Sequence, residues 1–204
     1  MQILIGTTNP SKVALFRQLL EGTQATFVTP QTLHIDAEPE ETGRTPEENA
    51  RLKAAFYGRF AERVICADSG LYVDTLPLDD PRQPGLHIRT PNGVRLDDEQ
   101  MIAHYAALSR AMGGRVLAYY LDGCAVRTPQ GLYSFQATRE EAREAGFYLL
   151  DTPCAQRREG WPLDSLSVDL EGRSFFDAHY SVLPQLKKTY IARLTVFLRS
   201  ALQL

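Results

Sequence analysis

The segment QILIGTTNPSKVALFRQLL, residues 2–20, passes from an apolar run through a polar turn into a helical pattern. QILIG is short and uniformly apolar, as a buried strand is. Val13, Phe16, Leu19 and Leu20 then recur at helical spacing, with Pro10 or Ser11 suited to the helix start and Gly22 to its end. The chain therefore opens as strand, turn, helix, the beginning of an α/β fold.

The pattern continues outward from there. Phe27 and Val28 read as a second strand, and the acidic loop HIDAEPEETG follows. The next stretch, ETGRTPEENARLKA at residues 41–54, holds a helix start: Thr45 as N-cap, Pro46 at N1 and Glu48 at N3 closing a capping box. Leu52, Ala55, Phe56 and Phe60 are the expected apolar stripe. RVICAD, residues 63–68, reads as a buried strand stopped by a turn at Ser69-Gly70. Residues 77–95 are rich in Pro, Gly and Asp and read as a long functional or mobile loop.

A helix is expected over residues 98–112, ended by Gly113-Gly114, and two long strands flank the turn TPQG as a hairpin. A short helix over 138–145 and an amphipathic helix over 184–202 complete the chain. With strands and helices alternating early, a hairpin late and no repeat or linker, the expectation is one α/β domain over 1–204. A mixed, twisted central sheet flanked by helices is its architecture.

Composition narrows the function classes. Of 204 residues, 44% are hydrophobic and 23% charged, a globular balance. A formal charge of -3 lacks the basic excess of a nucleic-acid binder, yet allows a small anion held by local lysines. Cys66, Cys124 and Cys154 form no CxxC pair, so neither zinc nor a disulfide framework is expected, and they read as buried thiols. No run approaches the ~18 apolar residues of a membrane span, and MQILIGTTN is no signal peptide. A cytoplasmic protein with no membrane or nucleic-acid partner is the expectation.

Three stretches could carry chemistry. TTNPSK, residues 7–12, joins strand to helix, where backbone N–H groups attract anions and Lys12 adds a full charge. Thr7, Thr8, Asn9 and Ser11 offer further donors; the alternative is a polar turn with a solvated lysine. Asp68 ends a buried strand just before a glycine turn, and a buried carboxylate calls for a partner. It and the acids Glu38, Glu40 and Glu41 are the residue type a hard cation takes, although Glu38 and Glu40 read as solvated. Asn49 and Lys53 lie one turn apart on one helix face, as a solvated pair or as an anion-facing pair beside Glu41. The four histidines have no metal spacing, and no GxSxG occurs.

Together these stretches resemble the inosine triphosphate pyrophosphatase family, which removes non-canonical purine nucleotides. Thr7, Asn9 and Lys12 match its T-x-N-x-x-K; residues 41–54 match E-T-G-x-T-x-x-E-N-A-x-x-K-A; residues 68–76 match D-S-G-L-x-V-D-x-L. Two later motifs depart. GWPLD keeps Trp161 and Asp164 but has Pro162 and Leu163 for a glycine and a tyrosine, and LPQLKKTY offers Lys187 and Lys188 where the family has a lysine and then Ser-His-Arg. Ala67 replaces the first of two acids, while Asp68 keeps the second.

The resemblance implies a Mg²⁺-dependent enzyme that cleaves a nucleoside triphosphate to monophosphate and pyrophosphate. It implies Glu41 and Asp68 as metal ligands and Asp68 as catalytic base. Thr7, Thr8, Asn9, Pro10, Ser11, Lys12, Asn49, Lys53 and Ser69 fall at the triphosphate. Trp161, Asp164, Lys187 and Lys188 fall at the base, Trp161 being equally readable as a core anchor. Because the base-side motifs differ, another nucleotide substrate, or a nucleotide-binding regulator without turnover, stands as the alternative. The resemblance also implies a homodimer, and it assigns the 77–95 loop, through Pro84-Gly85 and Arg89, to ligand closure or the dimer contact.

Overall fold

A computed structural model describes residues 1–158, 161–177 and 189–204, with Asn92 described by its backbone alone. Among these residues seven strands, β1 (Gln2–Ile5), β2 (Thr26–Val28), β3 (Val64–Val73), β4 (Arg115–Thr128), β5 (Gly131–Gln136), β6 (Phe147–Leu150) and β7 (Ser167–Val168), form one mixed sheet in the order β2-β1-β3-β4-β6-β7, with β5 pairing β4 off that path. By its contacts the chain falls into two compact units. One comprises Met1–Ser69, Leu121–Thr138 and Gln185–Leu204, the other Gly70–Tyr120 and Arg139–Pro184. Strands β3 (Val64–Val73) and β4 (Arg115–Thr128) contribute to both.

In the first unit, β1 (Gln2–Ile5) lies parallel between β2 (Thr26–Val28) and β3. Ile3, Leu4 and Ile5 are fully buried, which is why the run is apolar without alternation. Helix α1 (Pro10–Leu19) starts one residue later than its turn: Asn9 is the N-cap, and Pro10 takes N1, where its missing N–H costs nothing. β4 and β5 (Gly131–Gln136) pair antiparallel from Thr128↔Gly131, the expected hairpin. Helix α5 (Ile191–Leu202) buries Leu194, Leu198 and Leu202.

Helix α2 (Pro46–Tyr57) departs from expectation in two ways. Thr45 does cap the Glu48 N–H, but the Glu48 carboxylate accepts from the Arg44 N–H, one residue before the cap, so the reciprocal box is not closed. The buried face is also a different one: Asn49, Ala50, Ala54 and Tyr57 point inward, whereas Leu52 and Phe60 are 40% and 48% exposed. The reason is proximity. A Cβ on Gly123 of β4 would lie 2.3 Å from the Glu47 backbone nitrogen. A helix that near to a strand meets it through small residues, and the large apolar ones turn away.

The second unit holds α3 (Asp98–Ala111), α4 (Arg139–Glu144), β6 (Phe147–Leu150) and β7 (Ser167–Val168). The reciprocal capping box occurs here, at Asp97 and Gln100 of α3. β6 pairs β4 antiparallel and β7 pairs β6; neither strand was expected, because four apolar residues and two more carry no readable period. Leu71, Val73, Met101, Tyr105, Phe147 and Leu149 belong to this unit's core.

Two further expectations are corrected in this unit. β3 does not stop at Ser69-Gly70 but runs to Val73, because Gly70 is extended and its bare Cα lets Tyr72 and the Gly85 carbonyl approach. The 77–95 loop is pinned rather than loose. Gln83 exchanges hydrogen bonds with both backbone groups of Val73, Gly85 accepts from the Leu71 N–H, and the Tyr105 hydroxyl donates to Ile88. Among the described residues no helix is long and apolar enough to cross a membrane.

Candidate active site

The inward face of α2 carries Asn49 and Lys53 four residues apart, so both side chains meet β3 at Asp68. Asn49 Nδ2 donates to Asp68 Oδ2 at 2.9 Å, and Lys53 Nζ donates to Asp68 Oδ1 at 2.9 Å. Lys53 also reaches Glu41 Oε1 at 2.9 Å, so one ammonium bridges two carboxylates. Asp68 is 8% exposed and both its oxygens are satisfied, the condition for burying a carboxylate.

Asn49 also sets the acidic loop. Its Oδ1 accepts from the Gly43 N–H at 2.8 Å, and a Cβ on Gly43 would lie 2.7 Å from that same oxygen. Only glycine lets the loop come near enough to present Glu41 to Lys53. The solvated and anion-facing readings of Asn49 and Lys53 thus resolve into a third, two side chains turned inward on a carboxylate. Glu38 and Glu40 are exposed.

The 7–12 turn is occupied differently from expectation. Thr7 Oγ1 accepts from the Asn9 N–H at 3.1 Å, and Asn9 Oδ1 accepts from the N–H groups of Ser11 at 2.9 Å and Lys12 at 3.4 Å. Pro10 has no N–H, and Val13 N donates to the Asn9 carbonyl. The first-turn donors expected to face an anion are therefore already used, and Asn9 acts as a cap. What this turn offers an anion is the Lys12 ammonium, whose Nζ donates to the Ala67 carbonyl at 3.3 Å, the Asn9 side-chain NH2, left over because only Oδ1 caps the helix, and the Thr8 and Ser11 hydroxyls.

The two lysines are tuned in opposite directions. Burial pulls the Lys53 ammonium down, but the Asp68 and Glu41 carboxylates more than offset it and hold it above the ordinary value. Lys12 is lowered, by burial first and by the Lys53 charge second, against the pull of Asp68, Asp122 and Glu41. Lys12 is a cation short of counter-charge, which an incoming anion would supply.

Among the described residues, no group of three or more His, Cys, Asp or Glu is placed to hold a metal. The donors that are present nonetheless fit a hard cation. Glu41 and Asp68 are carboxylates turned onto the same positive charge, and Mg²⁺ takes one or two carboxylates together with waters and phosphate oxygens.

Sequence reasoning did not find Asp122. It lies on β4 inside an apolar strand, accepts from the Tyr190 hydroxyl at the start of α5, and acts on Lys12. Its one signal is the neighbouring Gly123, the mark of a close backbone approach. Ser69 follows Asp68 on the opposite face of β3 and is half-buried. Cys66 and Cys124 are buried, and burial pushes the Cys66 thiol up to about 12; Cys154 is only half-buried, contrary to expectation.

Of the base-side residues, Trp161 and Asp164 belong to the second unit. Trp161 precedes a short 3-10 turn, Pro162–Leu166, and at 36% exposure is no core anchor. Pro162, Leu163, Ser165 and Leu166 are the buried members of that turn. Asp164 Oδ2 pairs with Arg158 Nη1 at 2.6 Å; burial pushes its carboxyl up and the arginine opposes that. Lys187, Lys188 and His179 lie outside the described residues.

The Ham1 family model matches residues 3–138 of this chain. A dITP/XTP pyrophosphatase of Bacillus subtilis is 28% identical over 155 residues, covering 72% of this chain and 76% of its own. A dITP/XTP pyrophosphatase of Thermoanaerobacter pseudethanolicus is 35% identical over 88 residues, covering 43% of this chain and 42% of its own. The structure of the Staphylococcus aureus Ham1 protein superposes with a TM-score of 0.71 at 23% identity, covering 98% of this chain and 99% of that one, a likeness of fold.

Proposed function

Because this chain belongs to the Ham1 family, we propose that it is a nucleoside-triphosphate pyrophosphatase acting on non-canonical purine nucleotides such as dITP, ITP and XTP. The products are the nucleoside monophosphate and pyrophosphate, and residues 1–204 work as one domain. The observation that carries this reading is the cluster of Glu41, Lys53, Asp68 and Asn49 beside a Lys12 short of counter-charge. It joins a carboxylate able to accept a proton to two ammonium groups able to hold phosphate oxygens. The pyrophosphatase names of the relatives agree with it.

In the reaction, Asp68 takes a proton from the attacking water, whose oxygen bonds to the α-phosphorus. The bond from that phosphorus to the bridging oxygen breaks, and its electron pair leaves with pyrophosphate. Asn49 orients Asp68 through Oδ2. Lys12 and Lys53 stabilise the charge that grows on the departing group, and Thr8 and Ser11 donate hydroxyl hydrogen bonds. Lys53 exchanges part of its carboxylate pairing for phosphate oxygens as the nucleotide enters. Glu41 and Asp68 would hold Mg²⁺, which when bound supplies charge neutralisation and polarises the phosphoryl oxygens. Trp161 stacks on the base and Asp164 accepts from it, with Lys187 and Lys188 as further base-side contacts. A homodimer in the cytoplasm completes the proposal.

The test is pyrophosphate release with Mg²⁺ across dITP, XTP, dUTP, ATP and GTP, with Asp68→Asn alongside. A preference for dITP and XTP, lowered roughly 10²–10⁴-fold in the mutant with its circular dichroism unchanged, is expected. Near-wild-type turnover by Asp68→Asn would remove the base from the mechanism. Buried Pro162 and Leu163, where the family has glycine and tyrosine, favour a second reading in which another nucleotide is the substrate; fastest release from dUTP or ATP would select it.

A further inference from the structure

Arg158 is assigned no role by the motifs, yet it organises the surface around the chain's single tryptophan. Its guanidinium pairs with Asp164 Oδ2 at 2.6 Å and sits 5.2 Å from the centre of the Phe176 ring. Its backbone carbonyl accepts from the Trp161 N–H at 2.9 Å, and the Trp161 carbonyl accepts from the Asp164 N–H at 3.1 Å. Tryptophan, arginine and aspartate are thus locked to one another by main-chain bonds, within one unit of the chain. Asp164 is largely buried while Arg158 is nearly half exposed, so the pair has an inner carboxylate and an outer set of donors.

We propose that Arg158 is a specificity-determining residue, and that the Arg158–Asp164 pair reads the 6-position of a purine stacked on Trp161. The argument is one of hydrogen-bond direction. A 6-oxopurine presents a donor, N1–H, beside an acceptor, O6. An aspartate beside an arginine presents the complementary order, acceptor then donor. Asp164 Oδ1, which has no hydrogen-bond partner among the described residues, takes N1–H, and an Arg158 N–H donates to O6. Adenine reverses both positions: its bare N1 would face the carboxylate and its amino group the guanidinium, leaving two buried mismatches. Exposed aromatic and guanidinium planes are also the surfaces on which unpaired bases stack. The pair therefore selects 6-oxo over 6-amino and is indifferent to the 2-position, which other groups must read. That the stacked base is a purine rests on the function proposed above.

Trp161 is its own reporter. Base stacking quenches its fluorescence, and no other tryptophan contributes. The protein is titrated with IMP, XMP and AMP, in wild type and in Arg158→Ala and Arg158→Lys, without reliance on turnover. IMP and XMP are expected to quench at much lower concentration than AMP. Arg158→Ala should weaken IMP roughly 10–100-fold and leave AMP unchanged, the range lost with a hydrogen bond from a charged donor. Arg158→Lys, a point charge without the fork, should restore part of the preference. Equal affinity for IMP and AMP in wild type would overturn the inference, as would an equal loss of both in Arg158→Ala. Selective IMP binding without pyrophosphate release from any triphosphate would uphold the base reader and overturn the hydrolytic function instead.

Discussion

Replacing Lys53 by Met removes one ammonium and leaves a side chain of similar length. That ammonium lies 2.9 Å from Glu41 Oε1 and 2.9 Å from Asp68 Oδ1, and only Glu41 is substantially exposed. Deleting one partner of a buried pair costs roughly 3–5 kcal/mol, whereas an exposed pair contributes about 0–1 kcal/mol. Two effects reduce the first figure. Asp68 keeps its Asn49 hydrogen bond, and Met has no charge to desolvate. A loss of about 2–3 kcal/mol follows, and at roughly 2–4 °C per kcal/mol for a chain of this size Tm falls by roughly 4–12 °C.

The pH dependence carries the sign. The two carboxylates hold Lys53 above its ordinary value in spite of burial. Its stabilisation is therefore complete below the unfolded-state lysine pKa of about 10.4 and is lost as pH rises through the raised folded value. Urea unfolding of both proteins from about pH 7 to pH 11 reads this directly. The gap between them should stay constant through mildly alkaline pH and narrow only at the top of the range. A gap under ~0.5 kcal/mol at neutral pH, or one already closing near about pH 8, would refute the view that this ammonium stabilises the fold.

Lys12 should behave in the opposite sense. Its lowered value means the unfolded chain binds that proton more tightly, so stability rises with pH through the folded value toward 10.5. Lys12→Met is expected to melt roughly 2–4 °C higher than wild type at neutral pH without nucleotide, and to lose about 100-fold in kcat/KM; a lower melting temperature would contradict the sign. Gly123→Ala places a Cβ 2.3 Å from Glu47 N and 2.4 Å from the Pro46 carbonyl carbon, main-chain atoms that no rotamer change can move aside. It should destabilise by about 3 kcal/mol, and calorimetry showing wild-type Tm would mean α2 does not need this contact. Chelation with EDTA should end pyrophosphate release while leaving the nucleotide-free melting curve in place, because both carboxylates are already paired with Lys53 without a metal. A large drop in Tm would indicate a structural metal.

What could be read along the chain was what is decided within a few residues. The apolar run of β1, the Thr45 cap with Pro46 behind it, and the β4–β5 hairpin rest on neighbours at most a few positions away. The motifs likewise singled out Glu41, Asn49, Lys53 and Asp68 before any geometry was known. β6 and β7 were not legible, since short strands buried in a sheet are specified by their partners.

By itself, then, the sequence determined the α/β class, the main helix starts and the set of charged residues from which the site is built. Tertiary structure decided how those residues meet. Apolar periodicity pointed α2 inward through Leu52 and Phe60, but the nearness of Gly123, some seventy residues on, turned the small face to the sheet and carried Asn49 and Lys53 to Asp68. Asp68 became a mid-strand carboxylate because Gly70 could stay extended against Tyr72 and Gly85. The physical reason is common to both. Caps and turns are satisfied by local backbone groups, whereas the side of an element that is buried depends on how near a distant backbone can come.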